Sequence, residues 1–112
     1  MLDAASYSLA GFRRLTMETA VRQELAGGVL GLVLLIWLQV SLMQVLGFFV
    51  LFCVLLATES LNTAIEVLTD HVSPEWSEAA KHAKDLGSLA VALLLVSNLS
   101  YVAVVAAMAL LG

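Results

Sequence analysis

Charged side chains are absent from two long stretches of this chain. Residues 25–58 and residues 86–112 contain no Asp, Glu, Lys or Arg. Over the 112 residues only 12% are charged and 62% are hydrophobic, whereas soluble proteins average about 25% charged residues. This composition excludes an ordinary soluble domain and indicates an integral membrane protein.

Cysteine and the usual phosphate-binding loops are also scarce or missing. The single cysteine, Cys53, cannot form an intramolecular disulfide, and we expect it to be a buried thiol in a membrane helix. The sequence has no G-x-x-x-x-G-K-[ST] loop and no glycine-rich loop of the protein-kinase type. These absences exclude a disulfide-stabilised secreted domain and the nucleotide sites of the common soluble kinases.

The charge-free stretches predict three membrane-spanning helices in an all-α fold. A span needs roughly 20 apolar residues to cross a hydrocarbon core of about 30 Å, and residues 86–112 fit one span. Residues 25–58 would reach about 50 Å as one helix. We therefore expect a tight turn at the polar cluster of Gln39, Ser41 and Gln44. In a single domain over 1–112, the predicted segments are span 1 at 23–40, span 2 at 44–68 and a third helix over 74–111.

The two ends of this arrangement carry further helix signals. Residues 1–22 are predicted to form an amphipathic helix on the membrane surface, with Leu9 and Phe12 on one face and Arg14, Glu18 and Arg22 on another. The pair Ser73 and Pro74 is typical of a helix start, with serine as the N-cap and proline in the first turn. The third helix is therefore expected to begin outside the membrane and to enter it near Ser88.

All five basic residues fall on one predicted side of the membrane: Arg13, Arg14 and Arg22 before span 1, and Lys81 and Lys84 between spans 2 and 3. Because cytoplasmic loops carry the excess of Lys and Arg, we expect the amino end in the cytoplasm and the carboxyl end on the opposite side. Asp3 and the length of the apolar run lead us to expect no cleavable signal peptide.

A stripe of polar side chains is predicted at the cytoplasmic end of span 2. At 100° per residue, Glu59, Asn62, Glu66 and Asp70 fall within about 80° of one another on a helix. A span that starts near Gln44 leaves Glu59 at the hydrocarbon boundary. A carboxylate at that depth is costly and marks a candidate functional site. A structural carboxylate bonded to a neighbouring helix is the alternative interpretation.

The third helix carries a matching polar face, formed by Glu78, Lys81, Asp85 and Ser88 with Lys84 at its edge. Lys84 is placed to neutralise the acidic stripe, and Glu18 lies at the same membrane level. Converging carboxylates suit Mg²⁺, and a desolvated Glu59 is a candidate base for a hydroxyl that a lipid delivers. Asn98, deep in span 3, is expected to hold helices together rather than to contact substrate.

Three segments together resemble the prokaryotic diacylglycerol kinases, small three-span enzymes of the bacterial inner membrane: ETAVRQE at 18–24, ESLNTAIEVLTD at 59–70 and AKHAKDLGSLAV at 80–91. The second contains the family signature E-x-x-N-[ST]-A-I-E-x-x-x-D. The resemblance covers nearly the whole chain. It implies a homotrimer that transfers the γ-phosphate of MgATP directly to diacylglycerol at the cytoplasmic face, giving phosphatidic acid, with the carboxyl end in the periplasm.

The resemblance also implies roles for single residues. Glu59 is the implied catalytic base, and Glu18 and Glu66 are the implied Mg²⁺ ligands. Asn62 and Asp70 complete the signature. The residues implied in ATP binding are Tyr7, Glu18, Glu66, Glu75, Trp76, Ser77, Lys84 and Asp85. The residues implied in binding the lipid substrate are Arg22, Gln23, Glu24, Trp37, Glu59 and Ser88.

Three other functions remain open on the sequence. Some relatives of this family phosphorylate undecaprenol, although VRQE at 21–24 favours the diacylglycerol branch. A small multidrug-type transporter has a similar length and an intramembrane Glu, but it needs four spans and carries that Glu in the first. A non-catalytic trimeric membrane protein is the third alternative.

Overall fold

The structure is a computed structural model that describes residues 2–112. This range forms four helices and no strand: α1 (Leu2–Leu15), α2 (Thr19–Trp37), α3 (Leu42–Val72) and α4 (Glu78–Leu111). The predicted all-α class is confirmed, and α2, α3 and α4 are each long and apolar enough to cross a membrane. The 31 residues of α3 extend about 46 Å, so α3 continues beyond a hydrocarbon core of about 30 Å.

The turn between α2 and α3 lies where the polar cluster predicts it. Gln39 has a positive φ of 59°, which reverses the chain direction after α2 ends. Ser41 then caps α3, since its hydroxyl accepts from the Gln44 N–H at 3.1 Å while the Gln44 side chain accepts from the Ser41 N–H at 3.0 Å. This reciprocal capping box satisfies two backbone donors that a helix start leaves free.

The predicted continuous helix over 1–22 is wrong, because α1 ends at Leu15 and α2 begins at Thr19. The Arg22 guanidinium donates to the backbone carbonyls of Thr16 and Met17, at 3.1 and 3.2 Å. The last carbonyls of a helix have no partner within it, and Arg22 supplies donors close to that end. Arg22 therefore stabilises the break, and the position of α1 on a membrane surface stays a prediction.

The predicted start of the third helix at Pro74 is also wrong by about one turn. Ser77, rather than Ser73, is the N-cap of α4, and its hydroxyl accepts from the Ala80 N–H at 3.1 Å. Ser73 lies in the connection, where its hydroxyl donates to the Ser77 hydroxyl at 3.0 Å. Both serines suit an N-cap, and the structure uses Ser77, whose hydroxyl satisfies the Ala80 N–H in the first turn of α4.

The most extensive helix contact joins α3 and α4, while α2 packs against both and α1 packs against α3. Leu35, Phe48 and Val105 form a buried cluster near the α2–α3 turn. Asn98 of α4 donates to the Leu51 carbonyl of α3 at 3.2 Å, so the predicted role in holding helices together is confirmed. Cys53 is exposed on this chain, and its predicted burial is wrong because α3 turns a different face toward α4.

Candidate active site

Glu59 is a buried carboxyl near the end of the apolar part of α3. Only 7% of the residue is exposed, since it lies on the same α3 face as buried Leu55 and Thr63, one turn away on either side. The carboxyl of Glu24 on α2 lies beside it, close enough for a side-chain contact. Glu24 Oε2 is buried as well and has no hydrogen-bond partner within the described chain. The sequence predicts both residues for the site, and the structure brings them together.

An apolar crevice extends from Glu24 along the three long helices. Its volume is about 220 Å³, and its lining residues are Glu24, Gly27, Gly28, Gly31, Phe48, Phe52, Leu55, Leu95, Asn98, Leu99 and Val102. Gly28 and Gly31 on α2 let the rings of Phe52 and Phe48 on α3 pack close to the α2 backbone, since each ring lies where a Cβ would otherwise be. The crevice therefore joins a polar end at Glu24 to an apolar interior.

The polar stripe on α3 is present beyond Glu59. The Asn62 amide donates to Glu66 Oε1 at 3.3 Å, as expected for residues four apart on one helix face. Asn62 Oδ1 is buried and without a hydrogen-bond partner. It lies against Gly87 of α4, where the Cβ of any other residue would overlap it. Glu66 is exposed, and Oε1 is the oxygen that accepts from Asn62.

Two lysines pair with carboxylates on α3 and α4, and the pair of Lys84 with the acidic stripe is the one that the sequence predicts. Lys84 Nζ lies 2.6 Å from Asp70 Oδ1, and Lys81 Nζ lies 2.7 Å from Asp85 Oδ2. Both pairs lie before the charge-free stretch of α4. The hydrogen bond from Lys84 to Asp70 raises the pKa of Lys84, and the hydrogen bond from Lys81 lowers the pKa of Asp85. Each of these two hydrogen bonds therefore favours the charged form of Lys84 or of Asp85.

Glu18 lies in the turn between α1 and α2 and forms an ion pair with Arg14 at 2.9 Å. Arg22, which the sequence places beside Glu18, instead turns to the backbone of the break. Within residues 2–112, no group of three or more His, Cys, Asp or Glu side chains is close enough to hold a metal ion. The described part of one chain therefore gives neither Glu18 nor Glu66 a set of three such ligands.

The other predicted nucleotide residues lie around the α3–α4 connection or on α1. Glu75 and Trp76 are exposed in the connection, with Trp76 80% exposed. The Ser77 hydroxyl is already bonded, since it caps α4. Tyr7 is 75% exposed on α1. Glu75, Trp76 and Tyr7 are therefore open to solvent, whereas Ser77 is half-buried.

The predicted lipid-binding residues are spread along the molecule. Gln23 is exposed on α2 beside Glu24, and Ser88 is exposed on α4 directly after Gly87. Trp37 ends α2, about 20 Å along the helix from Glu24 at 1.5 Å per residue. Of these residues, Glu24 contacts Glu59, whereas Trp37 lies at the opposite end of α2.

The sequence reasoning missed the contact between Gly87 and Asn62. A signal for it exists, because an isolated glycine inside a helix costs about 1 kcal/mol relative to alanine and usually has a packing reason when it is kept. Gly87 is buried in the α3–α4 contact. The direct approach of Glu24 to Glu59 was likewise not predicted, since it depends on how α2 packs against α3.

Three membrane-length helices with a buried carboxyl pair at one end define a multi-pass membrane protein with an acidic site at one end of its spans. The sequence profile of the family described as prokaryotic diacylglycerol kinase matches residues 6–109. Similar proteins include the diacylglycerol kinase of Sinorhizobium sp, 45% identical over 105 residues, or 94% of this chain and 77% of the relative. The diacylglycerol kinase of Escherichia coli strain K12 is 33% identical over 97 residues, 86% of this chain and 80% of the relative.

A third relative, the diacylglycerol kinase of Pseudomonas aeruginosa, is 39% identical over 92 residues, which are 80% of this chain and 74% of that protein. The chain belongs to the prokaryotic diacylglycerol kinase family and is a lipid kinase of that family. The family match speaks against the transporter alternative. The number of helices does so too, because residues 2–112 contain three helices of membrane length, whereas such a transporter needs four spans.

Proposed function

We propose that this protein transfers the γ-phosphate of MgATP directly to the hydroxyl of diacylglycerol, giving phosphatidic acid. The observation that carries the proposal is the buried Glu59 carboxyl, at the point where the apolar part of α3 ends and its polar stripe begins. A lipid hydroxyl can reach that depth from the bilayer, and a nucleotide can reach the stripe from water. The relatives named diacylglycerol kinase support the same reaction.

Glu59 acts as the general base in this proposal. Its carboxylate takes the hydroxyl proton of the lipid while the lipid oxygen bonds to the γ-phosphorus. The bond from that phosphorus to the oxygen bridging the β- and γ-phosphates breaks, and ADP leaves. Direct transfer needs no phosphorylated residue on the protein, so one well-placed base and charge stabilisation suffice.

Glu18 and Glu66 are proposed to hold the Mg²⁺ that arrives with ATP. Mg²⁺ commonly binds one or two protein carboxylates together with substrate phosphates. Two separate carboxylates therefore fit an ion that the nucleotide brings, without a three-ligand cluster in the protein. The ion would offset negative charge on the phosphates during transfer.

Lys84 and Asp85 are proposed to bind the nucleotide from the first turns of α4. Lys84 uses one of its three ammonium donors on Asp70, which leaves donors for phosphate oxygens. Glu75, Trp76 and Ser77 would line the nucleotide from the connection, and Tyr7 would approach from α1. Their exposure in one chain supports a site that a flexible, water-soluble nucleotide can enter.

The lipid is proposed to approach through the hydrophobic side of the bundle. The apolar crevice that begins at Glu24 offers a path on which acyl chains leave the carboxyl pair without entering water. Arg22, Gln23 and Ser88 would contact the polar head of the lipid at the same level. Trp37 would contact lipid at the other interface.

The membrane orientation and the assembly complete the proposal. We place the amino end and the site on the cytoplasmic side of a bacterial inner membrane, because all five basic residues lie at that end. The three long helices expose many large apolar side chains, among them Leu30, Phe49 and Leu99. A homotrimer would cover part of this surface and would bring carboxylates of neighbouring chains together, while the remainder faces lipid.

The test is lipid phosphorylation by the purified protein in mixed micelles with MgATP, with diacylglycerol and undecaprenol offered side by side. We expect phosphatidic acid from wild type and none from Glu59→Gln. Preferential phosphorylation of undecaprenol would contradict the diacylglycerol assignment, and no transfer to either lipid would contradict the proposed reaction.

Shared sites are tested by co-assembly of two inactive variants, Glu59→Gln and Glu18→Gln. If each site takes residues from two chains, mixed trimers regain part of the activity. If no activity returns although mixed trimers form, each site is built from one chain.

A further inference from the structure

Gly87 of α4 lies directly against Asn62 in the polar stripe of α3. A Cβ built at Gly87 would overlap the Asn62 Oδ1, and its distances to the Asn62 Cγ and Cβ would be 3.2 and 3.8 Å. These three Asn62 atoms are the nearest ones that such a Cβ would meet. The missing side chain of Gly87 is therefore matched to the amide end of a single residue.

The orientation of the Asn62 amide follows from its two neighbours. Its Nδ2 donates to Glu66 Oε1 at 3.3 Å, and a carboxylate accepts hydrogen bonds but does not donate them. The opposite orientation would turn Oδ1 toward the carboxylate and would replace attraction with repulsion. The Oδ1 must therefore point toward α4, and only a residue without a Cβ leaves space for it at position 87.

We propose that Gly87 is a positioning residue for Glu66, acting through Asn62. Gly87 gives Asn62 Oδ1 its place, the Asn62 amide then fixes one oxygen of Glu66, and the other oxygen stays directed to the metal that accompanies the nucleotide. The inference rests on the proposed role of Glu66 as a Mg²⁺ ligand. Gly87 lies on α4, outside the signature segment on α3, and the inference adds it to the residues that determine metal affinity.

The expected effect of a methyl group at position 87 is local. The overlapped atom is the end of a side chain and not backbone, so Asn62 can yield by rotating its amide. That rotation removes Nδ2 from Glu66 and leaves the α3–α4 packing in place. Loss of a group that orients a metal ligand typically weakens metal affinity by about 10–100-fold. Gly87→Ala is therefore expected to fold and to bind metal poorly.

The experiment compares Gly87→Ala, Asn62→Ala, the double variant and the control Gly11→Ala, whose added methyl group meets nothing within 4 Å. The first readout is binding of Mn²⁺ with a non-hydrolysable ATP analogue, followed by loss of the free-Mn²⁺ signal in electron paramagnetic resonance. The second readout is kinetic: the Mg²⁺ concentration for half-maximal lipid phosphorylation, and the KM for diacylglycerol. Circular dichroism and gel filtration check the fold of each variant.

The proposal makes a distinctive prediction for the double variant. Gly87→Ala and Asn62→Ala should each weaken Mn²⁺ binding and raise the Mg²⁺ requirement by about 10–100-fold, with the KM for diacylglycerol changed less than about twofold. The double variant should be no worse than Asn62→Ala alone, because without the amide the new methyl group lies 3.8 Å from the Asn62 Cβ position, an ordinary contact. Gly11→Ala should match wild type.

Three results would overturn the proposal: wild-type metal binding in Gly87→Ala, effects of the two substitutions that multiply in the double variant, or a double variant that fails to fold. If Gly87→Ala alone fails to fold, a folded double variant that matches Asn62→Ala still supports it. Absence of lipid phosphorylation in wild type, together with normal Mn²⁺ binding, would contradict the proposed reaction and leave the positioning role supported by the binding data.

Discussion

Asn98 allows a quantitative test of whether a polar residue in the bundle is structural. It is 6% exposed, and its Nδ2 donates to the Leu51 carbonyl of α3 at 3.2 Å and to the Leu94 carbonyl of its own helix at 2.8 Å. Its Oδ1 is buried without a hydrogen-bond partner. Asn98 therefore contributes one interhelical bond and carries one unsatisfied acceptor.

These two features have opposite effects on stability when Asn98 is replaced by leucine. Interhelical side-chain hydrogen bonds in membranes contribute about 0.6 kcal/mol on average and about 1.7 kcal/mol at most. A buried acceptor without a partner costs roughly 1–3 kcal/mol, which leucine does not incur. We therefore expect Asn98→Leu to change the free energy of unfolding by between about −1 and about +2 kcal/mol, the difference of these terms, so that the variant is close to wild type or more stable. Asn98→Ala should be less stable than Asn98→Leu, since it also leaves unfilled volume.

The assay is unfolding by a strong detergent in mixed micelles, followed by circular dichroism, together with kcat and KM for diacylglycerol. Ser97→Ala is the matched control, because the Ser97 hydroxyl donates only to the Leu93 carbonyl of its own helix, at 2.8 Å. Leu51 lies about 12 Å along α3 from Glu59, so activity should stay within about twofold of wild type. A folded Asn98→Leu protein with activity lowered more than tenfold would refute the structural role.

Other substitutions test separate parts of the structure. Gly28→Ala places a Cβ 2.5 Å from Cε1 of the Phe52 ring, and we expect it to lower the free energy of unfolding by about 1–3 kcal/mol. Adding Phe52→Ala removes the overlapping ring, so Gly28→Ala should cost less stability in that background. Ser41→Ala removes the cap of α3 and should cost about 0.5–2 kcal/mol in the same unfolding assay, whereas Ser41→Asp should retain most of the stability. Lys84→Met should raise the KM for ATP about tenfold or more through loss of a charge-assisted contact, with Lys84→Arg intermediate. A KM for ATP unchanged in Lys84→Met would contradict its proposed contact with the nucleotide.

The helices could be predicted from the sequence because their signals are local. Charge-free stretches of suitable length give the spans, and Ser41 with Gln44 forms a capping box that a short sequence window contains. The break after Leu15 could not be predicted in the same way. It depends on Arg22 returning to the carbonyls of Thr16 and Met17, a contact across a turn that helical periodicity does not describe.

The candidate site shows the same division. Glu59, Asn62 and Glu66 share a helix face, so their proximity follows from 100° per residue. The contacts of Glu24 with Glu59 and of Gly87 with Asn62 join different helices and depend on the packing distance and the rotation of each helix. Residues that act across helix interfaces therefore need the structure, whereas those along one helix do not.

The most direct test of the central claim is the rate of phosphate transfer from ATP to diacylglycerol by Glu59→Gln at saturating concentrations of both substrates. A general base contributes about 10²–10⁴-fold to such a rate, and glutamine keeps the size of the side chain while it removes the proton acceptor. The account predicts a folded protein that binds MgATP normally and has a kcat lowered by at least about a hundredfold. A folded Glu59→Gln protein with a kcat within tenfold of wild type would contradict it.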